Sequence, residues 1–294
     1  MAIPIINNWK KYYSNAHEGR GSSYERVVIN NTLKKMVEQF KIKSVLETPS
    51  FGFTGMSGIN LMDLAKSGLQ ITLEDNDRER IENIRHIWED IKLPVNISYN
   101  PDFATMQYPD NSFDMVWNFS AIWFVQDLNA YLSEISRVAA KMIVICVPNQ
   151  FGLGYRLQKH NMTSSEEKGI QIRNIDPDQF VSRLYTLNWK LVQTSLIDCP
   201  PWPDIGMNIE DFLAKHCMLC KLYLYLKNKL NLPGSGSCKI PQPATKIISI
   251  LDYYNGNDPD FVRRMMRYSW LERYLPEFIA KYWAHHRYFI FVPR

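Results

Sequence analysis

The sequence predicts an α/β fold in which a parallel sheet is covered by helices on both faces. Three observations predict it. Short apolar runs alternate with helix-periodic stretches through the first two-thirds of the 294 residues. Those runs read as strands buried on both faces. Acidic and glycine-bearing segments follow them, where an open α/β sheet receives its ligands.

The elements follow in order. ERVVINNTLKKMVEQF, 25–40, has apolar residues at helical spacing. KSVLE, 43–47, is a first short strand, and GINLMDLAKSG, 58–68, is a helix closed by Gly68. LQITLED, 69–75, is a second strand, followed by an amphipathic helix over 76–94 that Pro94 stops. VNISYN, 95–100, is a third strand, and FDMVWNFSAIWFV, 113–125, is a fourth that runs into its loop. A helix over 127–141 leads to a fifth strand, KMIVICVPN, 141–149. DPDQFVSRLYTLN, 176–188, reads as a capped helix before a sixth strand, WKLVQTSLI, 189–197. The rhythm then lapses. Residues 208–230 are helical, 232–243 form a loop or hinge, and 258–284 are helical with a break at Pro276. RYFIFVPR, 287–294, is a last strand.

Composition narrows the functional classes. The net charge of +4 is spread along the chain, and no basic stripe of the kind nucleic acid demands is present. No apolar run approaches the roughly eighteen residues of a membrane span. The first residues lack a secretory pattern, and five cysteines do not read as a disulfide framework, so a reducing cytoplasm is expected. Cys199, Cys217, Cys220 and Cys238 are spaced C-x17-C-x2-C-x17-C. Two of them lie inside a helical pattern, so they read as buried small hydrophobes and no metal is assigned.

Four strand ends carry the chemistry. Glu47 opens ETPSFGFTGMSG, where Gly52, Gly55 and Gly58 let backbone approach a ligand closely. Asp75 ends the second strand twenty residues after Gly55, where a carboxylate accepts both hydroxyls of a ribose. Taken alone, Asp75 reads first as a helix cap before NDRER. Asp102 follows the third strand and suits an exocyclic amine. NFSAIWF after the fourth strand faces the reacting end of a ligand.

SVLETPSFGFTGMSG, LEDNDRERIENIR, PDFATMQYPDNSFDMVWNFSAIWFV and ISRVAAKMIVICVPN together resemble a class I S-adenosylmethionine-dependent methyltransferase of the broad small-molecule, type 11-like branch. The resemblance implies a Rossmann-like seven-stranded sheet, order 3-2-1-4-5-7-6, with the last strand antiparallel. It implies S-adenosylmethionine as cofactor and a small methyl acceptor, with neither nucleic acid nor membrane as partner. Glu47, Thr48 and the loop glycines would hold the methionine part. Asp75 and Asn76 would serve the ribose, Asp102 the adenine amine, and Phe103 or Ala104 the ring face. Asn118, Phe119 and Ser120 would border the sulfonium. The loop is two or three residues longer than the family's, which leaves open whether Gly52, Gly55 or Gly58 touches the ligand.

The chain then divides into an N-terminal helical cover (1–40), a core (41–204 and 284–294) and a mostly helical insertion or lid between strands six and seven (205–283). That insertion sits over the acceptor side. Aromatic residues such as Trp202, Tyr223, Tyr254 and Trp270 are expected either to line an apolar or aromatic acceptor's pocket or to form the insertion's own core. Tyr24 is a candidate face for the sulfonium, with Arg20 a candidate carboxylate partner and Ser22 or Ser23 a helix cap. His285 and His286 precede the last strand at the ligand face and are the candidate bases. A non-catalytic domain that binds a partner or senses the cofactor is the alternative. A nicotinamide-dependent dehydrogenase is disfavoured, because no G-x-G-x-x-G opens the first helix.

Overall fold

The computed structural model describes residues 9–14, 16–52, 55–161, 169–202 and 248–294. Seven strands form one sheet in the order β3-β2-β1-β4-β5-β7-β6. They are β1 Ser44–Glu47, β2 Gln70–Asp75, β3 Asn96–Tyr99, β4 Phe113–Phe119, β5 Ala139–Pro148, β6 Trp189–Ile197 and β7 His286–Pro293. Strands β1 to β5 pair in parallel, and β7 runs antiparallel between β5 and β6.

The apolar runs become strands because both faces of the sheet are buried. Neighbouring residues of one strand enter opposite core layers: Val45 lies in one and Leu46 in the other, as do Met115 and Val116. This is the two-residue alternation of a pleated strand with a core on each side. One layer is closed by α2 (Gly19–Phe40), α3 (Met62–Lys66) and α4 (Arg78–Asp90). The other is closed by α5 (Leu128–Val138) and α7 (Pro177–Thr186). The short α1, Trp9–Ser14, precedes α2, and α6, Leu153–Asn161, follows β5. Aspartates fix the helix starts: Asp77, Asp127 and Asp176 each accept from a backbone N–H of the first turn.

Several expectations are adjusted. Asp77, not Asp75, caps α4. Neither Ser22 nor Ser23 caps α2, which starts at Gly19. The helix expected from residue 58 shrinks to Met62–Lys66, because the preceding loop continues in turns to Leu61. The helical stretch after 258 breaks into α9 (Phe261–Met266), α10 (Trp270–Tyr274) and α11 (Glu277–Trp283), preceded by α8 (Leu251–Tyr254). Pro276 explains only the last of those breaks. The helix over 208–230 and the loop over 232–243 lie outside the described residues, as do Cys217, Cys220, Cys238 and Tyr223. Among the described residues, no helix is long and apolar enough to cross a membrane.

The loop after β1 lies hard against the tip of β4. A Cβ on Gly52 would stand 2.2 Å from the Phe119 carbonyl oxygen and 2.6 Å from that of Ser120. Both obstacles are backbone, so neither can swing aside. Gly58 has φ 73°, and a Cβ there would meet the Ile84 side chain at 2.6 Å. Gly52→Ala is therefore expected to lower stability by about 1–3 kcal/mol in urea denaturation, the usual cost of overpacking. Gly21→Ala, whose new carbon meets nothing nearer than Trp202 Nε1 at 3.9 Å, should be neutral or mildly stabilising within α2. Equal midpoints for the two variants would contradict the close approach of loop and strand.

Candidate functional site

Three acidic tips stand side by side because β1, β2 and β3 are neighbours. Glu47 ends β1 and is buried. Its Oε1 accepts from Asn60 Nδ2 at 2.7 Å. Its Oε2 is buried with no hydrogen-bond partner among the described residues. Burial pushes the carboxyl up to about 8, against the opposing pull of the Asn60 bond and the Arg26 charge.

Asp75, at the end of β2, is fully engaged. Oδ2 accepts from Arg80 Nε at 2.7 Å and Ser50 Oγ at 2.9 Å. Oδ1 accepts from Arg80 Nη2 at 2.6 Å and from the Asp77 N–H at 2.9 Å. Arg80 is itself buried, and its guanidinium lies 4.2 Å from the Phe51 ring centroid. Phe51 continues to Phe103 at 6.0 Å and Phe124 at 5.4 Å. An aromatic side chain of the chain itself thus spans the space between the second and third tips. Asn76 is exposed and accepts from Arg80 Nη2 at 3.1 Å. Asp102 is exposed, with Oδ1 turned back onto the Ala104 N–H. Phe103 is buried at φ 58°, its N–H held by Asn100 Oδ1.

Thr48 and Asn118 are structural. Thr48 Oγ1 donates to Glu74 Oε2 at 2.9 Å, and its carbonyl accepts from Asn118 Nδ2 at 2.8 Å and Tyr131 Oη at 2.6 Å. These bonds fasten the loop to β4, leaving the two polar side chains committed to the fold. Gly52 and Gly58 serve close packing, as described above, and Gly55 is buried beside them. At the β4 tip, Phe119 stacks on Trp117 and lies 4.8 Å from the His286 ring. Ser120 follows at φ 48° with a buried hydroxyl.

His285 and His286 are both buried, and each is paired with a carboxylate. His285 Nδ1 lies 2.6 Å from Asp198 Oδ2, and His286 Nδ1 lies 2.9 Å from Glu25 Oε1. Tyr24 is fully buried, so its expected approach to a sulfonium gives way to packing. Its hydroxyl donates to Glu272 Oε2 at 3.1 Å, and its ring meets Trp202 and Tyr268 edge-on. Arg20 lies over the Tyr268 ring rather than against a carboxylate.

Sequence reasoning missed the polar residues buried in and before α2. Glu18 accepts from Arg26 through both carboxylate oxygens and from the Met56 N–H at 2.7 Å. Arg26 also donates to Asn60 Oδ1 at 2.7 Å, which links it to Glu47. A signal was present: Glu25 and Arg26 interrupt an otherwise apolar helical stripe. Arg80 and Ser50 gave no signal, since each reads as an ordinary surface residue.

Residues 53–143 match the family model described as "Methyltransferase domain". The match covers about a third of the chain and, with the sheet order above, supports a class I, type 11-like methyltransferase. No curated protein matches the sequence. Among solved structures, the domain is similar to a chain of the Haloferax volcanii complex between the Trm112 methyltransferase activator and a methyltransferase candidate. Identity there is 14%, coverage 97% of each chain and TM-score 0.48. It is also similar to a SAM-dependent methyltransferase from Aquifex aeolicus, at 13% identity, covering 56% of this chain and 83% of that one, TM-score 0.42. The [4+2]-cyclase SpnF is similar at 12% identity, covering 90% and 80%, TM-score 0.47.

The methyltransferase domain implies S-adenosylmethionine as cofactor. The tips fit that molecule at its amino-acid end, where buried Glu47 Oε2 awaits a donor. They do not fit it at the ribose as they stand, because Arg80 already fills Asp75.

Glu47 also carries a pH signature. Its raised value means that the protonated form favours the folded state. That contribution is complete below about 4.5 and is lost as pH rises through about 8. Urea denaturation between pH 5 and 9 should show the wild type losing stability relative to Glu47→Gln, by on the order of a few kcal/mol. Parallel profiles for the two proteins would place Glu47 in contact with water.

Proposed function

We propose that the chain is an S-adenosylmethionine-dependent methyltransferase acting on a small, apolar or aromatic acceptor by in-line transfer. The observation that carries this reading is the buried, half-satisfied Glu47 carboxylate beside the loop of a methyltransferase domain. A buried acceptor with no donor is costly, and the ammonium of an amino acid supplies both charge and donors. The cofactor, when bound, supplies a methyl group already activated on sulfur. The chain's own part is to bind and align. Glu47 holds the ammonium. Asp75 takes the ribose hydroxyls once Arg80 turns away, and Asp102 with Phe103 meets the adenine. Phe119 and Ser120 border the sulfonium, with Asn118 fixing that corner.

His285 and His286 serve the acceptor side, next to Phe119. The rings of Tyr24, Trp202 and Tyr268 pack together edge-on, and Tyr24 bonds Glu272, whose other oxygen holds the Asp198 turn; this aromatic cluster supports an apolar acceptor. Alignment of the acceptor within about 3–3.5 Å of the methyl carbon is the main catalytic demand. A cytoplasmic setting is part of the same reading, supported by buried free thiols at Cys146 and Cys199.

A second reading has its own observation. Glu18 on Arg26, and Arg80 on Asp75, satisfy much of the cleft from within. Such a domain is complete without a cofactor and would serve as a binding or sensing module. Calorimetry with S-adenosylhomocysteine separates the two. Under the first reading, binding is measurable and Glu47→Gln weakens it by about tenfold or more. Absence of binding to the wild type would overturn it in favour of the second.

A further inference from the structure

We propose that Glu25, Asp198 and His286 form a binding site for one divalent first-row transition-metal ion. The inference goes beyond methyl transfer, since the site would hold the ion whether or not that reaction follows.

Three elements converge to build the cluster. Glu25 comes from the first turns of α2, Asp198 directly follows β6, and His286 is the first residue of β7. The pairing of Ile197 with His286 puts the end of β6 beside the start of β7. The His285 N–H donates to the Asp198 carbonyl at 3.0 Å, which continues that edge one residue further. One ligating atom from each of Glu25, Asp198 and His286 lies within 4.8 Å of the other two. That separation lets a single ion reach all three with modest side-chain movement. Their side chains are 2%, 3% and 1% exposed, so water does not screen them.

Independent features point to a ligand here. Asp198 Oδ1 and His286 Nε2 are buried with no hydrogen-bond partner among the described residues. Buried polar atoms are nearly always paired. Among the described residues, no lysine or arginine forms an ion pair with buried Asp198 or with the adjoining half-buried Glu272. Asp198 is also held at φ 67°, a left-handed conformation that non-glycine residues seldom adopt.

The surroundings resemble the outer layer of a metal site. His285 Nδ1 bonds Asp198 Oδ2 and fixes the carboxylate's orientation. Glu272 Oε1 accepts from the Asp198 and Cys199 N–H groups and holds the turn. A cavity of about 400 Å³ is lined by Ile197 and Cys199, the chain neighbours of Asp198, and by Glu272, while the three ligands themselves lie behind its wall. Imidazole and carboxylate together suit Zn²⁺, Mn²⁺, Fe²⁺ or Co²⁺ better than the all-oxygen preference of Mg²⁺ or Ca²⁺. An ion here stands beside Phe119, on the acceptor side of the proposed cleft. His286 then acts as a ligand, and an acceptor hydroxyl bound to the ion loses its proton more readily.

The test uses the full chain, stripped by chelator and titrated separately with Zn²⁺, Mn²⁺ and Co²⁺. Binding of one equivalent is expected, with affinity reduced at least tenfold in Asp198→Asn and in His286→Gln and unchanged in His86→Ala, a residue exposed on α4. The Co²⁺ form should show the weak visible bands of nitrogen and oxygen ligation. An intense thiolate charge-transfer band would assign the ion to cysteines and overturn the site. So would absence of saturable binding, or full affinity in both cluster variants. If those variants do not fold, pulsed electron paramagnetic resonance of the Mn²⁺-loaded wild type decides: coupling to an imidazole nitrogen is expected, and its absence refutes the proposal. Metal binding without S-adenosylhomocysteine binding would leave this site standing and remove only the methyl-transfer reading.

Discussion

Asp75 and Arg80 meet in a two-point ion pair, Oδ2 to Nε at 2.7 Å and Oδ1 to Nη2 at 2.6 Å, and both side chains are sealed from water. A buried pair of this kind must recover the hydration that both charges lose, so its remaining lone pairs have to be satisfied as well. Ser50 Oγ and the Asp77 N–H complete Asp75. That requirement dictates the loop after β1. Ser50 reaches Asp75 only if the chain folds back across the tip of β2, and its N–H bonds the Glu74 carbonyl on the way. Phe51 is thereby laid over the Arg80 guanidinium, and Gly52 is driven against β4.

The same logic runs through the other buried charges of that edge. Arg26 is shared between Glu18 and Asn60, and Asn60 passes one bond to Glu47. Glu74 is tied to both neighbouring loops, through Thr48 and Asn100. Each tip of the sheet is therefore stitched to the next by side chains as well as by backbone bonds. Within this lattice Glu47 is the exception, with one oxygen bonded and the other bare. A carboxylate in that state relieves its cost by taking up a proton, which is why burial raises it so far, or by taking up a cation.

Much of the architecture was legible because it depends on local pattern. Double burial forces continuous apolar strands, an aspartate cap marks α7, and the segment from Asp102 to Val125 carries the resemblance to a methyltransferase. The details of the site were not legible, because they depend on pairs far apart in sequence. Glu25 meets His286 across 261 positions, and Tyr24 meets Glu272 across 248. No periodicity announces such partners. Charged residues inside an apolar helical stripe were the available hint, and in α2 they proved to be the buried polar framework of the molecule. The fragmentation of 258–284 was hidden for a related reason. Its helical spacing is genuine, but the turn at Arg267–Ser269 contains neither proline nor glycine to mark it.

The two ends of the sheet edge differ in a way that bears on chemistry. Around Asp75 and Glu18 every strong acceptor has found a strong donor of the same chain, so a ligand must displace a guanidinium to enter. Around Asp198, the ion-pair partner among the described residues is an imidazole, that of His285, which neutralises a carboxylate only by holding a proton. Arginine keeps its charge at any accessible pH, whereas histidine does not. The first region is thus closed by a permanent charge, and the second is left dependent on something mobile. Between them lie Phe119 and Ser120, touching the loop through backbone on one side and His286 through a ring on the other. A molecule that bridges the two regions has to pass that corner. The backbone-on-backbone contact at Gly52 makes that corner rigid, because neither wall can swing aside.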